Sequence, residues 1–228
     1  MRSKIPYGCL PLTLFVALLI LLPLFLADIM LTALTRLGLT PQTSVLAALG
    51  IFVGGMVNIP IKKIPRENYL DPTSMGLFGI DRLLGNRLPR RQHTIIAVNF
   101  GGCIVPCMIV AYELVRIAPY GPVAFLLAIA AIGVNIAVCY HLAQPISKVG
   151  IAMPALVPAF VAAICAILFF RELAPLIAFS AGVLGPLVGA DLMHLKEIKR
   201  INTSVASIGG AGTFDGIVLS GLLATLLA

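Results

Sequence analysis

The chain has 228 residues, of which 60% are hydrophobic and only 11% are charged, with a net charge of +7 and a mean hydropathy of +1.06. Soluble domains carry roughly 25% charged residues, so this composition excludes an ordinary soluble domain and indicates a membrane protein. The basic residues lie between apolar segments and form no basic groove with aromatic residues, which argues against a nucleic-acid partner.

Apolar runs of about 18 or more residues are long enough to cross a bilayer as helices. The sequence contains seven membrane-length segments, at residues 9–33, 42–60, 94–115, 121–142, 151–170, 174–194 and 208–228. The first follows Arg2 and Lys4 as a signal peptide would, but it continues to about Leu34 without a small-residue cleavage site, so we predict a retained helix. We expect an all-α fold, a polytopic bundle of about seven transmembrane helices surrounded by lipid, with residues 1–228 in a single domain.

The connections between these segments differ strongly in charge. Thirteen Lys and Arg residues lie in the N-terminal tail and every second connection after it, against three in the opposite set. Basic residues favour the cytoplasmic side. The distribution predicts a multi-pass protein of the prokaryotic cytoplasmic (inner) membrane, with the N-terminus in the cytoplasm and the C-terminus outside. Within it, residues 61–93 are expected to form a basic amphipathic loop on the cytoplasmic membrane surface.

Two aspartates lie inside these apolar segments. Asp191 is near the end of the sixth segment and Asp215 is near the start of the seventh, at comparable depth from the cytoplasmic side. An ionisable side chain at membrane depth is costly unless it is paired or hydrated, so it indicates a functional site. Asn58, Asn99, Asn135 and several Gly and Pro residues fall in the same layer. A cytoplasm-facing wet cavity would explain them together, because irregular backbone at membrane depth occurs where it lines a cavity or is buried in protein.

Two carboxyl groups in mutual reach cannot both ionise easily, so one retains a proton while the other remains an anion. Such a pair can activate a water molecule and protonate a peptide carbonyl, as in aspartic proteases. We therefore predict Asp191 and Asp215 as a catalytic pair acting on a transmembrane peptide.

A resemblance to the Gly-x-Gly-Asp intramembrane aspartyl proteases, the presenilin and signal peptide peptidase group, supports this hypothesis. Gly212-Thr-Phe-Asp215-Gly216 resembles the helix of that group that carries the second aspartate, and Asp191 is similar to the first. Met153-Pro154-Ala155-Leu156 resembles its Pro-Ala-Leu element. The resemblance implies that Pro154, Ala155 and Leu156 line the substrate path and that Gly212 and Gly216 keep the backbone near Asp215 accessible. Asn58 and Asn99 are further candidate substrate-binding residues.

A second resemblance covers almost the whole chain. Val57-Asn-Ile-Pro60, Val98-Asn-Phe-Gly-Gly102, Gly189-Ala-Asp-Leu192 and Ile208-Gly-Gly-Ala-Gly-Thr-Phe-Asp-Gly-Ile217 resemble an uncharacterised family of bacterial and archaeal multispan membrane proteins. This resemblance implies membership but no activity.

Two other functions remain open on the sequence. Asp191, Asp215, Asn58, Asn99 and Asn135 could coordinate an ion in a cation- or proton-coupled transporter or channel. A non-catalytic membrane scaffold subunit is the third possibility. We predict no cofactor and no resident metal, although a magnesium or manganese ion on Asp191, His194 and Asp215 is an alternative. The sequence does not indicate an oligomeric state.

Overall fold

A computed structural model describes residues 9–65, 93–146, 150–154, 156–199, 203 and 205–228. This part of the chain contains seven α-helices, one in each of the seven apolar segments, which confirms the expected all-α bundle. The helices are α1 (Cys9–Arg36), α2 (Pro41–Gly54), α3 (Val105–Ile117), α4 (Pro122–Leu142), α5 (Leu156–Phe169), α6 (Ala174–Leu184) and α7 (Gly216–Leu227).

Four helical spans of the described residues are long and apolar enough to cross a membrane, so the chain is a membrane protein. They are Pro11–Arg36, Phe100–Tyr120, Pro122–Leu142 and Arg171–Leu192. The apolar helices α2, α5 and α7 are shorter.

Short strands occupy parts of the predicted helical segments and of the connections between them. They are β1 (Asn58–Pro65), β2 (His93–Asn99), β3 (Gln144–Ile146), β4 (Gly150–Ala152) and β5 (Val205–Ile208). β1 pairs antiparallel with β2, and β2 pairs parallel with β5, in the order β1-β2-β5. β3 and β4 form a separate hairpin.

The helical boundaries predicted at residues 42–60 and 94–115 were therefore wrong by about one turn or more. α2 ends at Gly54, and the third segment becomes helical only at Phe100. A short apolar run cannot be assigned to strand or helix by periodicity alone. Of the predicted amphipathic loop, residues 61–65 and His93 belong to β1 and β2, and residues 66–92 lie outside the described part.

Two π-helices interrupt the α-helical geometry. The first, π1 (Phe100–Ile104), leads into α3, and the second, π2 (Gly185–Leu192), continues α6. π-Helical turns are rare and frequently occur at functional sites. Both contain glycines, which allow another backbone to approach where a side chain would block it. π2 carries Asp191, so the irregular geometry sets the direction of a predicted site residue.

α6 forms the centre of the bundle. Its sequence is apolar on all sides, as expected for a helix surrounded by protein, and 83% of its membrane-length window is buried. Alanines on neighbouring helices, such as Ala128 of α4 and Ala162 of α5, are fully buried in the same core. Small residues let membrane helices approach closely and pack by van der Waals contact. The helix that leads to Asp191 is therefore held firmly in place.

The two ends of the bundle differ in character. At one end, Arg36 of α1 donates a hydrogen bond to the Leu226 carbonyl of α7 (2.8 Å), and Arg116 of α3 donates one to the Leu37 carbonyl. These guanidinium groups satisfy carbonyls at helix C-termini, which have no partner inside their own helix. The opposite end carries the three-stranded sheet, both π-helices and the predicted site.

Candidate functional site

A cavity of about 380 Å³ opens at the sheet end of the bundle, and both predicted aspartates line it. Residues 205–208 of β5 and the following Gly210 and Ala211 form one part of its wall. Gly150 and Ile151 of the β3–β4 hairpin contribute as well. The fold thus brings Asp191 and Asp215, 24 positions apart in sequence, to one site.

Asp191 projects into the cavity from π2 and is half-buried. Ile208 and Gly210, on either side of Gly209, line the same cavity. π2 lies so close to α4 that a Cβ atom at Gly189 would be 2.3 Å from the Ile136 carbonyl oxygen. This close approach fixes the position of the turn that carries Asp191.

Asp215 lies at the N-terminus of α7 and is also half-buried. Its carboxylate accepts hydrogen bonds from the backbone N–H groups of Ile217 (3.0 Å) and Ala211 (3.3 Å). The first bond makes Asp215 the N-cap of the helix, a position where a negative charge also interacts favourably with the helix dipole. Asp215 therefore has a structural role in addition to any chemical one.

The two carboxylates line the same cavity. Asp215 accepts two backbone N–H groups, and no Lys or Arg among the described residues forms an ion pair with either carboxylate. The arrangement places two acidic groups beside a space large enough for water.

Three chain segments meet behind the cavity with almost no side chain between them. A Cβ atom at Gly102 of π1 would lie 2.1 Å from the Gly209 carbonyl oxygen, and one at Gly101 would lie 2.2 Å from the Ile51 carbonyl oxygen. Gly212, with φ +60°, approaches Gly55 at the end of α2. The turn between the two aspartates is thus fixed by direct backbone contact with π1 and α2.

Asn58 and Asn99 form a polar network at the end of the sheet rather than lining the cavity. The Asn99 side chain is fully buried and donates hydrogen bonds to the Gly55 carbonyl (2.7 Å) and to Asn58 Oδ1 (3.1 Å). Its Oδ1 accepts the Gly102 N–H (2.7 Å). Ser207, which does line the cavity, donates to Asn58 Oδ1.

The remaining predicted substrate-binding residues lie at varying distances from the aspartates. Pro154 is exposed and Leu156 is 58% exposed, and neither lines the cavity. Ala155 lies outside the described residues. Gly216 begins α7 directly after Asp215, and a Cβ atom there would lie 3.9 Å from Met153 Cε.

His194 is bound to the protein itself rather than turned toward a metal position. Its Nδ1 is 3.1 Å from the Gly189 carbonyl oxygen and 3.0 Å from that of Ala190, and its ring packs against Tyr140. The described residues contain no group of three or more His, Cys, Asp and Glu side chains arranged to hold a metal ion. The magnesium or manganese alternative on Asp191, His194 and Asp215 thus gains no support from this geometry.

The sequence analysis missed β5. A signal for this strand was present, since Val205 and Ile208 are β-branched and are followed by Gly209 and Gly210, a pattern typical of a short strand that ends at a turn. It was overlooked because residues 205–207 were left in a connection and Ile208 was assigned to the seventh membrane segment.

Comparison with known proteins gives a family without an activity. No curated protein and no solved structure matches the chain. Residues 52–227 match the family described as "Protein of unknown function (DUF1614)". This match includes both aspartates, the whole sheet and helices α3 to α7. The chain is therefore a member of the DUF1614 family.

Proposed function

We propose that the protein is an intramembrane hydrolase in which Asp191 and Asp215 cleave a peptide bond of a membrane-embedded substrate. The proposal is carried by one observation, that two carboxylates from different helices line the same cavity. Burial with few compensating charges is typical of carboxyl groups that exchange a proton during catalysis.

The pair supplies the two groups that hydrolysis requires. The ionised carboxylate removes a proton from a water molecule as the water oxygen attacks the peptide carbonyl carbon. The protonated carboxyl donates to the carbonyl oxygen as the tetrahedral intermediate forms. When the C–N bond breaks, the leaving nitrogen takes up a proton, and the products are a carboxylic acid and an amine.

The wall of the cavity supports a peptide substrate. Among the described residues β5 pairs only with β2, so its other edge is unpaired and carries backbone donors and acceptors. β5 contains neither Pro nor a charged residue, whereas the other outer strand, β1, contains Pro60, Lys62 and Lys63. Proline and lysine discourage pairing at a strand edge. An extended peptide can therefore add to β5 beside the aspartates and present its carbonyl groups free of helical hydrogen bonds.

The environment of the asparagines favours hydrolysis over ion transport. An ion site would need their oxygens around one point with the aspartates. Asn58 Oδ1 and Asn99 Oδ1 instead accept hydrogen bonds within the protein, and Asn135 donates to the Ala181 carbonyl (2.7 Å) within the helix core. None of the three lines the cavity. We further propose that the cavity faces the cytoplasm, because the basic connections lie at this end.

Cleavage in ¹⁸O-labelled water tests the proposal. The purified protein in proteoliposomes is incubated with a pool of synthetic transmembrane peptides, and the products are identified by mass spectrometry. We expect new C-termini that carry one ¹⁸O atom. Asp191→Asn and Asp215→Asn should each lower the rate at least about a hundredfold, because a carboxyl group that transfers protons contributes that much or more.

Asparagine is the appropriate replacement because it retains the structural contacts. At position 215 it can still cap α7, and at position 191 it has nearly the same size and shape as the aspartate. Asp28→Asn is the matched control, since Asp28 is an exposed carboxyl on α1 that does not line the cavity, and its activity should equal that of the wild type. Wild-type rates in either folded cavity variant would overturn the proposal. Aspartate-dependent ion uptake without any ¹⁸O-labelled product would favour the transporter.

A further inference from the structure

Asn99 connects the sheet to two parts of the cavity lining, the residues around Asp191 and strand β5. It is fully buried at the junction of β2 and π1, and its side chain forms hydrogen bonds with Gly55, Asn58 and Gly102. We propose that Asn99 is a positioning residue. Its side-chain oxygen determines the position of the Asp191 carboxylate, and its side-chain nitrogen determines the position of strand β5 at the cavity.

The oxygen acts through two backbone contacts. Asn99 Oδ1 accepts the Gly102 N–H at 2.7 Å and thereby fixes the first turn of π1. Gly102 lies directly against Gly209, with room for no side chain between them. Gly209 has φ +70°, a conformation favoured by glycine, and lies between Ile208 and Gly210, which line the cavity together with Asp191. A shift of Gly102 is therefore transmitted to the cavity lining around Asp191.

The nitrogen acts through Asn58 and Ser207. Asn99 Nδ2 donates to Asn58 Oδ1 at 3.1 Å and to the Gly55 carbonyl at 2.7 Å. Asn58 Oδ1 also accepts the Ser207 hydroxyl, so β1, β2 and β5 are joined at their ends. Ser207 lines the cavity on β5, the strand to which we expect the substrate to bind. This second path determines the position of β5 relative to the cavity and to the substrate that we expect to bind there.

Substitution can separate the two paths, because they use different atoms of one side chain. Asn99→Asp retains an oxygen for the Gly102 N–H but has no N–H to donate. Asn99→Ala removes both paths, and Ser207→Ala removes only the last bond of the second. A residue that merely stabilised the fold would not produce this division.

The experiment combines infrared spectroscopy of the carboxyl groups with kinetics. The Asp191 band is identified as the band lost in Asp191→Asn. We expect this band to shift in Asn99→Ala and to stay in place in Asn99→Asp and Ser207→Ala. If the proposed hydrolysis is correct, Asn99→Ala should lower kcat about tenfold or more, because misplaced catalytic groups lose rate steeply. Asn99→Asp and Ser207→Ala should raise KM several-fold with kcat nearly unchanged.

Ser180→Ala is the control, since Ser180 is fully buried on α6 and donates only to the Leu176 carbonyl (2.9 Å) away from the cavity. It should change neither the band nor the kinetics. The kinetic part rests on the proposed function, whereas the infrared part does not, so a chain without hydrolase activity still tests the role of Asn99. A folded Asn99→Ala variant with an unmoved Asp191 band would overturn the proposal. If that variant does not fold, a shifted band in Asn99→Asp would overturn it.

Discussion

Glu113 is the most deeply buried carboxylate that lies away from the cavity among the described residues. Its side chain has no solvent exposure, and its Oε2 forms an ion pair with Arg116 at 3.0 Å. Arg116 also donates to the Leu37 carbonyl and lies over the Tyr112 ring. One cation therefore pairs with one oxygen of a buried carboxyl group and with the C-terminal end of α1 at the same time, while Glu113 Oε1 has no hydrogen-bond partner in the described part of the chain. The sequence analysis counted Arg116 only as a marker of orientation.

Removing that cation should destabilise the fold more than removing the charge it compensates. Arg116→Met leaves Glu113 buried without a partner and the Leu37 carbonyl without its donor. We expect a loss of about 2 to 3 kcal/mol, below the usual cost of breaking a buried pair because Arg116 is 35% exposed. Glu113→Gln should cost less, since a neutral amide can still bond to Arg116. Unfolding in mixed micelles of increasing denaturing detergent measures both, and an equal loss in the two variants would contradict this account.

At the level of elements, helices were predictable where the sequence is long and apolar, and strands were not. All seven apolar segments contain a helix, in which backbone groups are paired within the segment. Residues 94–99 are also apolar, so hydropathy merged them with the third helix, whereas residues 205–207 of β5 were left in the connection before the seventh segment. Their pairing depends on contacts across more than 100 residues, which no local pattern records.

The same distinction applies to the candidate site. Asp191 and Asp215 were found because charge in an apolar segment is a local signal. The role of Asn99 could not be predicted, because it depends on Gly55, Asn58 and Gly102 meeting in space. Likewise, Pro154 and Leu156 were proposed to line the substrate path because of a resemblance in sequence. Neither lines the cavity, whereas Gly150 and Ile151 of the preceding hairpin do.

The packing of π1 against the turn after β5 should tolerate no side chain at Gly102, not even a methyl group. Gly102→Ala would place a Cβ atom 2.1 Å from the Gly209 carbonyl oxygen, where the obstructing atom is backbone and cannot rotate away. We expect a loss of at least about 3 kcal/mol or failure to fold. Gly133→Ala on α4 is the matched control, because nothing lies within 4 Å of that position. It should be neutral or stabilising by up to about 1 kcal/mol. Equal thermal stability of the two variants would show that the contact is unimportant.

On the scale of the whole molecule, the two ends of the bundle have different tasks. One end is closed by arginines that bond to the carbonyls of Leu37 and Leu226. The other end has a sheet, two π-helices and an open cavity. A rigid helical core between them, centred on α6, lets the irregular end maintain its geometry. From the charge distribution of the connections, we propose that the irregular end faces the cytoplasm.

Labelling from each side of the membrane tests that orientation. Lys62 of β1 and Arg171 before α6 are both exposed. Lys62 lies at the sheet end of the bundle, and Arg171 lies at the opposite end. We expect Lys62→Cys to react with a membrane-impermeant maleimide only in inside-out vesicles, and Arg171→Cys only in right-side-out vesicles. The parent chain provides the background, in which the fully buried Cys139 should stay unlabelled. The reverse pattern would place the cavity on the outer side.

The backbone crossing at Gly101, Gly102 and Gly209 also affects how relatives of this chain should be compared. Any side chain at these positions would collide with main-chain atoms, whatever reaction the protein performs. Invariance of these glycines across DUF1614 would therefore record a geometric constraint and carry no information about chemistry. Asp191, Ser207 and Asn99 are the informative columns, because their proposed roles depend on the polar atoms of their side chains. Relatives that retain the glycines but lose either aspartate would be natural examples of the same scaffold without its reaction.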